Sequence, residues 1–191
     1  MSGRPAVFFD RDGTLLELVP YLHRPEQVRL TAGAGDALRR LGERGWLRVL
    51  VTNQSGIARG LFDRDQLEAV HERMRALLRA EGGGIDAIEV CPHHPDFTGA
   101  CTCRKPRPGM LERAGRKLGV DPVRSWMIGD RFEDLEAGRR FGARGILVLT
   151  GYGREQARAA GEENWEGVAC VARDFASAAA AILGGLPDAR A

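Results

Sequence analysis

The stretch "AVFFDRDGTLL", Ala6 to Leu16, runs from four apolar residues into two aspartates, Asp10 and Asp12, and then a glycine. An uninterrupted apolar run has no polar face to offer water, so a strand here is buried on both sides. That is the mark of a parallel sheet covered by helices. Gly13 permits a tight turn after the strand. Two aspartates one residue apart at a strand end either cap that turn or take part in chemistry, and the stretch alone does not separate the two.

Further strands are expected at 47–53 ("LRVLVTN"), 87–91 ("AIEVC"), 125–130 ("SWMIGD"), 145–150 ("GILVLT") and 168–172 ("VACVA"). Helical patterns lie between them: "AGDALRRLGERG", "DRDQLEAVHERMRALLRAEG", "PGMLERAGRKLG", "FEDLEAGRRFG" and "DFASAAAAIL". Asp63 stands where it can cap the second, with Gln66 at capping-box spacing. Gly45, Gly82, Gly119 and Gly142 stand where helices should stop. The alternation predicts an α/β fold: a doubly wound, mainly parallel sheet with helices on both faces. Such sheets place their chemistry beyond the carboxyl ends of the strands. Asp10, Thr52, Cys91 and Asp130 each close or follow a predicted strand.

The length of 191 residues suits a single domain over 1–191, with no repeat or linker and a tail, "GGLPDARA", that can fray. No apolar run reaches the roughly 20 residues of a membrane helix. The beginning, "MSGRPAVFFD", lacks the apolar core of a secretory signal, so a cytoplasmic location and no membrane partner are expected. A net charge of +2, with acidic and basic residues mixed, argues against nucleic acid. A monomer is the default expectation. Tyr152 and Trp165 are assigned no role beyond core packing.

Three of the four cysteines fall within "CPHHPDFTGACTCRKPRPGM", Cys91 to Met110, and one of only two lysines, Lys105, follows them directly. Cys91-x-His93 and Cys101-x-Cys103 supply four ligands of the kind that tetrahedral zinc takes, with every position filled by protein. Zinc in a loop spanning 91–103 is therefore expected to be structural. His94 is a competing ligand. The fourth cysteine, Cys170, is read as a buried, inert thiol.

Three strand ends bearing carboxylates make a hard-oxygen site suited to magnesium: Asp10 and Asp12, then Asp130 with Asp134 four residues on. Thr52 adds a hydroxyl, and Lys105 a compact positive charge fit to neutralise a transferring phosphoryl group. The four segments "DRDGT", "VTNQSG", "CRKPRPG" and "GDRFED" together resemble, in order, the four motifs of the haloacid dehalogenase superfamily of aspartate-nucleophile phosphotransferases. The resemblance implies that Asp10 is the nucleophile and Asp12 the general acid and base. It implies that Thr52 and Lys105 hold the phosphoryl oxygens. Magnesium would be held by Asp10, the backbone carbonyl of Asp12 and Asp130, with Asp134 in support.

The zinc loop and "VTNQSGIARG" resemble more narrowly the D-glycero-D-manno-heptose 1,7-bisphosphate 7-phosphatases, over most of residues 6–150. That resemblance implies a small phosphorylated sugar as substrate, in making activated heptose for lipopolysaccharide or other glycoconjugates. It places Arg104 and the turn Asn53, Gln54, Ser55 against substrate. The zinc-binding histidinol-phosphate phosphatases share the ligand arrangement and are the alternative. Arg59 either reaches a second phosphate or is a surface arginine. After the first motif, "LLELVPYLHRP" keeps Tyr21 but has Leu16, Leu18, Val19 and Pro20 where the family is more polar, which leaves the sugar and its anomer open. The spacing has no room for a separate cap domain. A capless, open site framed by the loops around Tyr21, Arg59 and His93 is expected.

Overall fold

The computed structural model describes residues 3–160 and 167–186; Trp165 and the end of the tail lie outside them. Six strands form one sheet: β1 (Ala6–Phe9), β2 (Leu47–Asn53), β3 (Ala87–Cys91), β4 (Trp126–Gly129), β5 (Arg144–Val148) and β6 (Val168–Ala172). Their spatial order is β3-β2-β1-β4-β5-β6, and every pairing is parallel. Among the described residues seven α-helices accompany them: α1 (Ala34–Glu43), α2 (Arg64–Ala80), α3 (Pro95–Thr98), α4 (Gly109–Leu118), α5 (Phe132–Phe141), α6 (Gly153–Ala160) and α7 (Phe175–Leu183).

Both faces of the sheet are covered, which is why its central strands read as unbroken apolar runs. Successive side chains of a strand point to opposite faces. Val7 and Phe9 accordingly enter one core with Leu50, Ile128 and Val148, beneath Leu38 and Leu41 of α1, Val70 and Met74 of α2 and Phe175 of α7. Ala6 and Phe8 enter the other core with Val49, Val51 and Met127, beneath Met110, Leu111 and Ala114 of α4 and Ala137 of α5. Edge-to-face rings fasten each side: Phe9 on Phe175 and Phe8 on Phe141. Burying one of these phenylalanines is worth roughly 1.5–3 kcal/mol.

The helix boundaries follow from local chemistry. Asp63 and Gln66 form a reciprocal capping box at the start of α2. Asp174 caps α7 by accepting from the Ser177 N–H. Helices α4 and α5 stop on Gly119 and Gly142, which take left-handed conformations at φ 64° and 98°. Helices α3 and α6 were not expected from the sequence; α3 buries no residue and α6 only Gly153. Cys170 on the edge strand β6 is half-buried, not sealed in the core as expected, because β6 is covered on fewer sides than its neighbours.

The chain lays down β1, β2 and β3 in one direction and then returns to place β4 on the other side of β1. The order of strands reverses between β1 and β4, and ligand crevices open at such a switch point. Asp10 and Asp130 follow those two strands directly. Between Phe9 and α1, and between α2 and β3, the described residues contain no additional sheet, in keeping with a capless arrangement.

Candidate active site

Four strand ends converge on a cavity of about 340 Å³. Lys105 supplies its central cation. Its ammonium donates to Asp10 Oδ1 at 2.7 Å and to the Val51 carbonyl at 2.9 Å, and it pairs with Asp134 Oδ1 at 2.7 Å. The loop that carries it is clasped to the end of β2: the Lys105 N–H donates to Asn53 Oδ1 at 3.1 Å, and Asn53 Nδ2 donates back to the Lys105 carbonyl at 3.2 Å. Thus the segment after the cysteines is registered against the "VTNQSG" turn.

Asp10, Asp130 and Asp134 bring their carboxylate oxygens within 4.8 Å of one another. Burial pushes the Asp10 pKa up to about 6, and Asp134 and Asp12 add to the rise while Lys105 opposes it. Burial, with the like charges of Asp134 and Asp10, pushes Asp130 up to about 7. Asp130 Oδ2 accepts from the Tyr152 N–H at 2.8 Å, but its buried Oδ1 has no hydrogen-bond partner. An orphaned carboxylate oxygen facing two further carboxylates is a defect in a finished core. It is what a hard divalent cation requires, so the residues present fit magnesium. The crevice is tight: a Cβ on Gly13 would lie 2.4 Å from Asp130 Oδ2, and one on Gly151 would lie 2.1 Å from it. Both glycines have positive φ, 79° and 53°.

The Asp12 carboxylate stands apart from that cluster. Arg11 Nε and Nη2 donate to it at 3.1 and 2.9 Å, and Gln54 Nε2 donates at 2.9 Å while also donating to Thr52 Oγ1 at 2.7 Å. Of the two aspartates in "DRDGT", one therefore faces the acidic cluster and the other a set of donors. The Asp12 side chain is not among the clustered carboxylates, which leaves its backbone carbonyl as the atom it can offer a metal.

Beside the cavity, Cys91, His93, Cys101 and Cys103 bring three Sγ atoms and the His93 Nδ1 together. The sulfur–sulfur distances are 3.0, 3.6 and 3.7 Å, and Nδ1 lies 3.3 and 3.7 Å from Cys103 and Cys91. Zinc–sulfur bonds of about 2.3 Å set the edges of a tetrahedral shell at about 3.8 Å, close to this spacing. His94 is turned away. Its Nδ1 accepts from the Asp96 N–H at the start of α3, and its Nε2 lies 2.8 Å from Arg59.

Asp10, Asp12, Asn53, Gln54, Ser55, Arg104, Lys105, Asp134 and Tyr21 all line the cavity, as the sequence led one to expect. Thr52 lies just beneath, with its hydroxyl against Gln54. Arg59 does not line it. Its guanidinium sits over the Phe97 ring, 4.9 Å from the centroid, and beside His94, so it braces the cysteine-bearing loop from outside. His93 likewise belongs to the cysteine cluster and not to the cavity wall. Of the apolar segment after the first motif, Leu18, Val19 and Pro20 face the cavity, whereas Leu16 is fully buried in the core. Arg131, Glu133 and Tyr152 also line the wall without having been foreseen. Arg131 stacks over the Tyr152 ring at 3.9 Å, which places Tyr152 at the site and not in the core. Their positions just beyond β4 and β5 were the only available signal.

Comparison with known proteins gives this geometry a relationship. A family model described as "HAD-hyrolase-like" matches residues 102–178, which include Lys105, Asp130 and Asp134. A D-glycero-beta-D-manno-heptose-1,7-bisphosphate 7-phosphatase of Pseudomonas aeruginosa is 40% identical over 181 residues, covering 94% of this chain and 98% of that protein. The chain belongs to the heptose-1,7-bisphosphate 7-phosphatase family. A second member, from Haemophilus ducreyi, is 44% identical over 155 residues, 78% of this chain and 85% of its own length. The crystal structure of the family member from B. bronchiseptica, complexed with magnesium and phosphate, superimposes with a TM-score of 0.85 at 38% identity over 94% of this chain and 98% of that one. The expectation of a haloacid dehalogenase-like phosphatase fold is met. No helix among the described residues is long and apolar enough to cross a membrane.

Proposed function

We propose that the protein is a magnesium-dependent phosphatase that removes the 7-phosphate of D-glycero-D-manno-heptose 1,7-bisphosphate, acting in the cytoplasm during synthesis of activated heptose. The observation that carries this reading is the division of labour within "DRDGT". Asp10 joins Lys105 and the acidic cluster, while Asp12 is held by Arg11 and Gln54 with its carboxylate on the cavity wall.

In the first half-reaction an Asp10 carboxylate oxygen bonds to phosphorus as the phosphorus–oxygen bond to the sugar breaks. The electron pair leaves on the sugar oxygen, which takes a proton from the Asp12 carboxyl. A sugar alkoxide is too basic to leave without that proton. In the second half, water gives a proton to Asp12 as its oxygen bonds to phosphorus, and the bond to Asp10 breaks. Lys105 and the Thr52 hydroxyl hold the phosphoryl oxygens. Asp10, Asp130 and the Asp12 carbonyl, with Asp134 in support, would hold magnesium, which would supply electrostatic stabilisation of the phosphoryl charge. Arg104, Tyr21 and the Asn53–Ser55 turn meet the rest of the substrate.

Cys91, His93, Cys101 and Cys103 would hold zinc with all four positions filled by protein, which would leave it a structural role. It fixes the irregular segment that delivers Arg104 and Lys105.

Phosphate release from heptose 1,7-bisphosphate and from histidinol phosphate, measured side by side with Asp10→Asn as the blank, tests the assignment. Strong preference for the bisphosphate is expected. Preference for histidinol phosphate would move the enzyme to the other branch of zinc-binding relatives.

A further inference from the structure

His71 has no role in the chemistry described so far, and Arg11 enters it only as a donor to Asp12, yet both are buried. Arg11 is fully buried although it lies between the two aspartates of the first motif. A buried guanidinium needs partners for its charge and its donors. Among the described residues its only ion-pair partner is Asp12, at 2.9 Å, and Nη2 also donates to Gln54 Oε1 at 3.0 Å. The remaining arm, Nη1, points at His71 Nε2 on the inner face of α2, 3.3 Å away.

The direction of that contact can be assigned. Burial and the Arg11 cation push the His71 pKa down to about 4, so the ring is neutral near pH 7. Arginine only donates, so Nε2 accepts and the ring proton sits on Nδ1, which lies 3.7 Å from Glu68 Oε2. The result is a row from the protein surface to the cavity: Glu68, His71, Arg11, Asp12.

Among the described residues the Asp12 carboxylate is aimed by Arg11 and Gln54, and Gln54 is itself held by Arg11 and Thr52. Arg11 is thus the hub, and His71 is the group that anchors the hub to the helix layer. We propose that His71 is a positioning residue: by accepting from Arg11 it sets the aim of the Asp12 carboxylate, and so the proton transfer to the leaving group. The inference rests on the phosphatase reading above, but not on the identity of the sugar.

Proton donation matters in proportion to the basicity of the leaving oxygen, which supplies a readout that general damage to the fold does not share. The probe is a series of aryl phosphates from 4-nitrophenyl to phenyl phosphate, followed by kcat/KM, which reports the step that breaks the ester. In His71→Phe the ratio of 4-nitrophenyl to phenyl phosphate hydrolysis should rise by about 10-fold or more, because the poorer leaving group suffers most. His71→Gln, whose amide oxygen can reach Arg11 from the Nε2 position, should restore the ratio. Should His71→Phe not fold, His71→Asn takes its place, since its shorter amide cannot reach Arg11. An equal loss across the series, or no loss in variants lacking the acceptor, overturns the proposal. Failure of the wild type to cleave heptose bisphosphate would overturn the substrate assignment instead, because the aryl series contains no sugar.

Discussion

Lys105 Nζ stands 2.7 Å from Asp134 Oδ1, which ties the cation of the zinc-loop segment to the first turn of α5 as well as to Asp10. Burial opposes the charge of Lys105, but the two carboxylates outweigh it and hold its pKa above the usual lysine range. Lys105→Met leaves two buried acids facing one another without a cation. Urea unfolding of the metal-free variant at pH 8 should show a loss of about 3–5 kcal/mol. Phosphate release should fall by at least about 100-fold, as expected when a charge on the phosphoryl group loses its partner.

The raised acids give the metal-free protein a stability that falls with pH. Asp10 and Asp130 move from 3.8 to about 6 and about 7 on folding. Between pH 4 and 7 the folded state therefore holds protons that the unfolded state has released, so stability is greatest at the low end of that window and is lost as pH rises through it. Magnesium replaces those protons. Thermal melts with chelator and with magnesium should diverge little at pH 5 and widely at pH 8; equal divergence at both would contradict the assignment of these ligands.

Gly151→Ala tests the crevice between β1 and β4. A Cβ there would meet Asp130 Oδ2 at 2.1 Å and the Gly13 Cα at 2.7 Å, at a φ of 53° that strains any other residue. Asp130 must move. The magnesium concentration giving half-maximal activity should rise, and turnover should drop by about 10-fold or more, in line with misplacement of about 1 Å.

Cys101→Ser probes the zinc group with least harm to the core, since Cys101 is partly exposed whereas Cys91 and Cys103 are buried. Metal analysis should show zinc lost from the purified variant, and activity should fall because the Arg104–Lys105 segment loses one of its two anchors. The other anchor, the paired hydrogen bonds to Asn53, remains. A zinc-free protein with undiminished turnover would show that the loop needs no metal to present Lys105.

The strands were legible as apolar runs between helical patterns: β2, β3 and β6 have the bounds read for them, although β3 and β6 lie at the two edges of the sheet and are only partly buried. The site was legible where residue type is tied to chemistry, as with Asp10, Lys105, Asp130 and the cysteines. It was not legible for Arg11, since an arginine between two aspartates reads as a polar spacer and nothing local says that it points inward. Arg131 and Tyr152 escaped for a similar reason: their stacking depends on two strand ends meeting. Arg59 went to Phe97 and His94 because the α3 segment folds over it, a packing outcome that spacing does not encode.

The seam between β1 and β4 also bears on how the protein comes into being. Strand β1 pairs with β2 early in the chain, but its other edge waits for Trp126 to Ile128. Closing that distance costs loop entropy, and until it closes the strand carries an unpaired edge able to recruit another chain. Asp10 lies on the early side of the seam and Asp130 on the late side, so no half-made polypeptide owns a complete acidic cluster. A divalent ion that needs both can reward only a chain in which β4 has joined β1. The cluster thus waits on the joining of β1 to β4, whatever the chain has made before it.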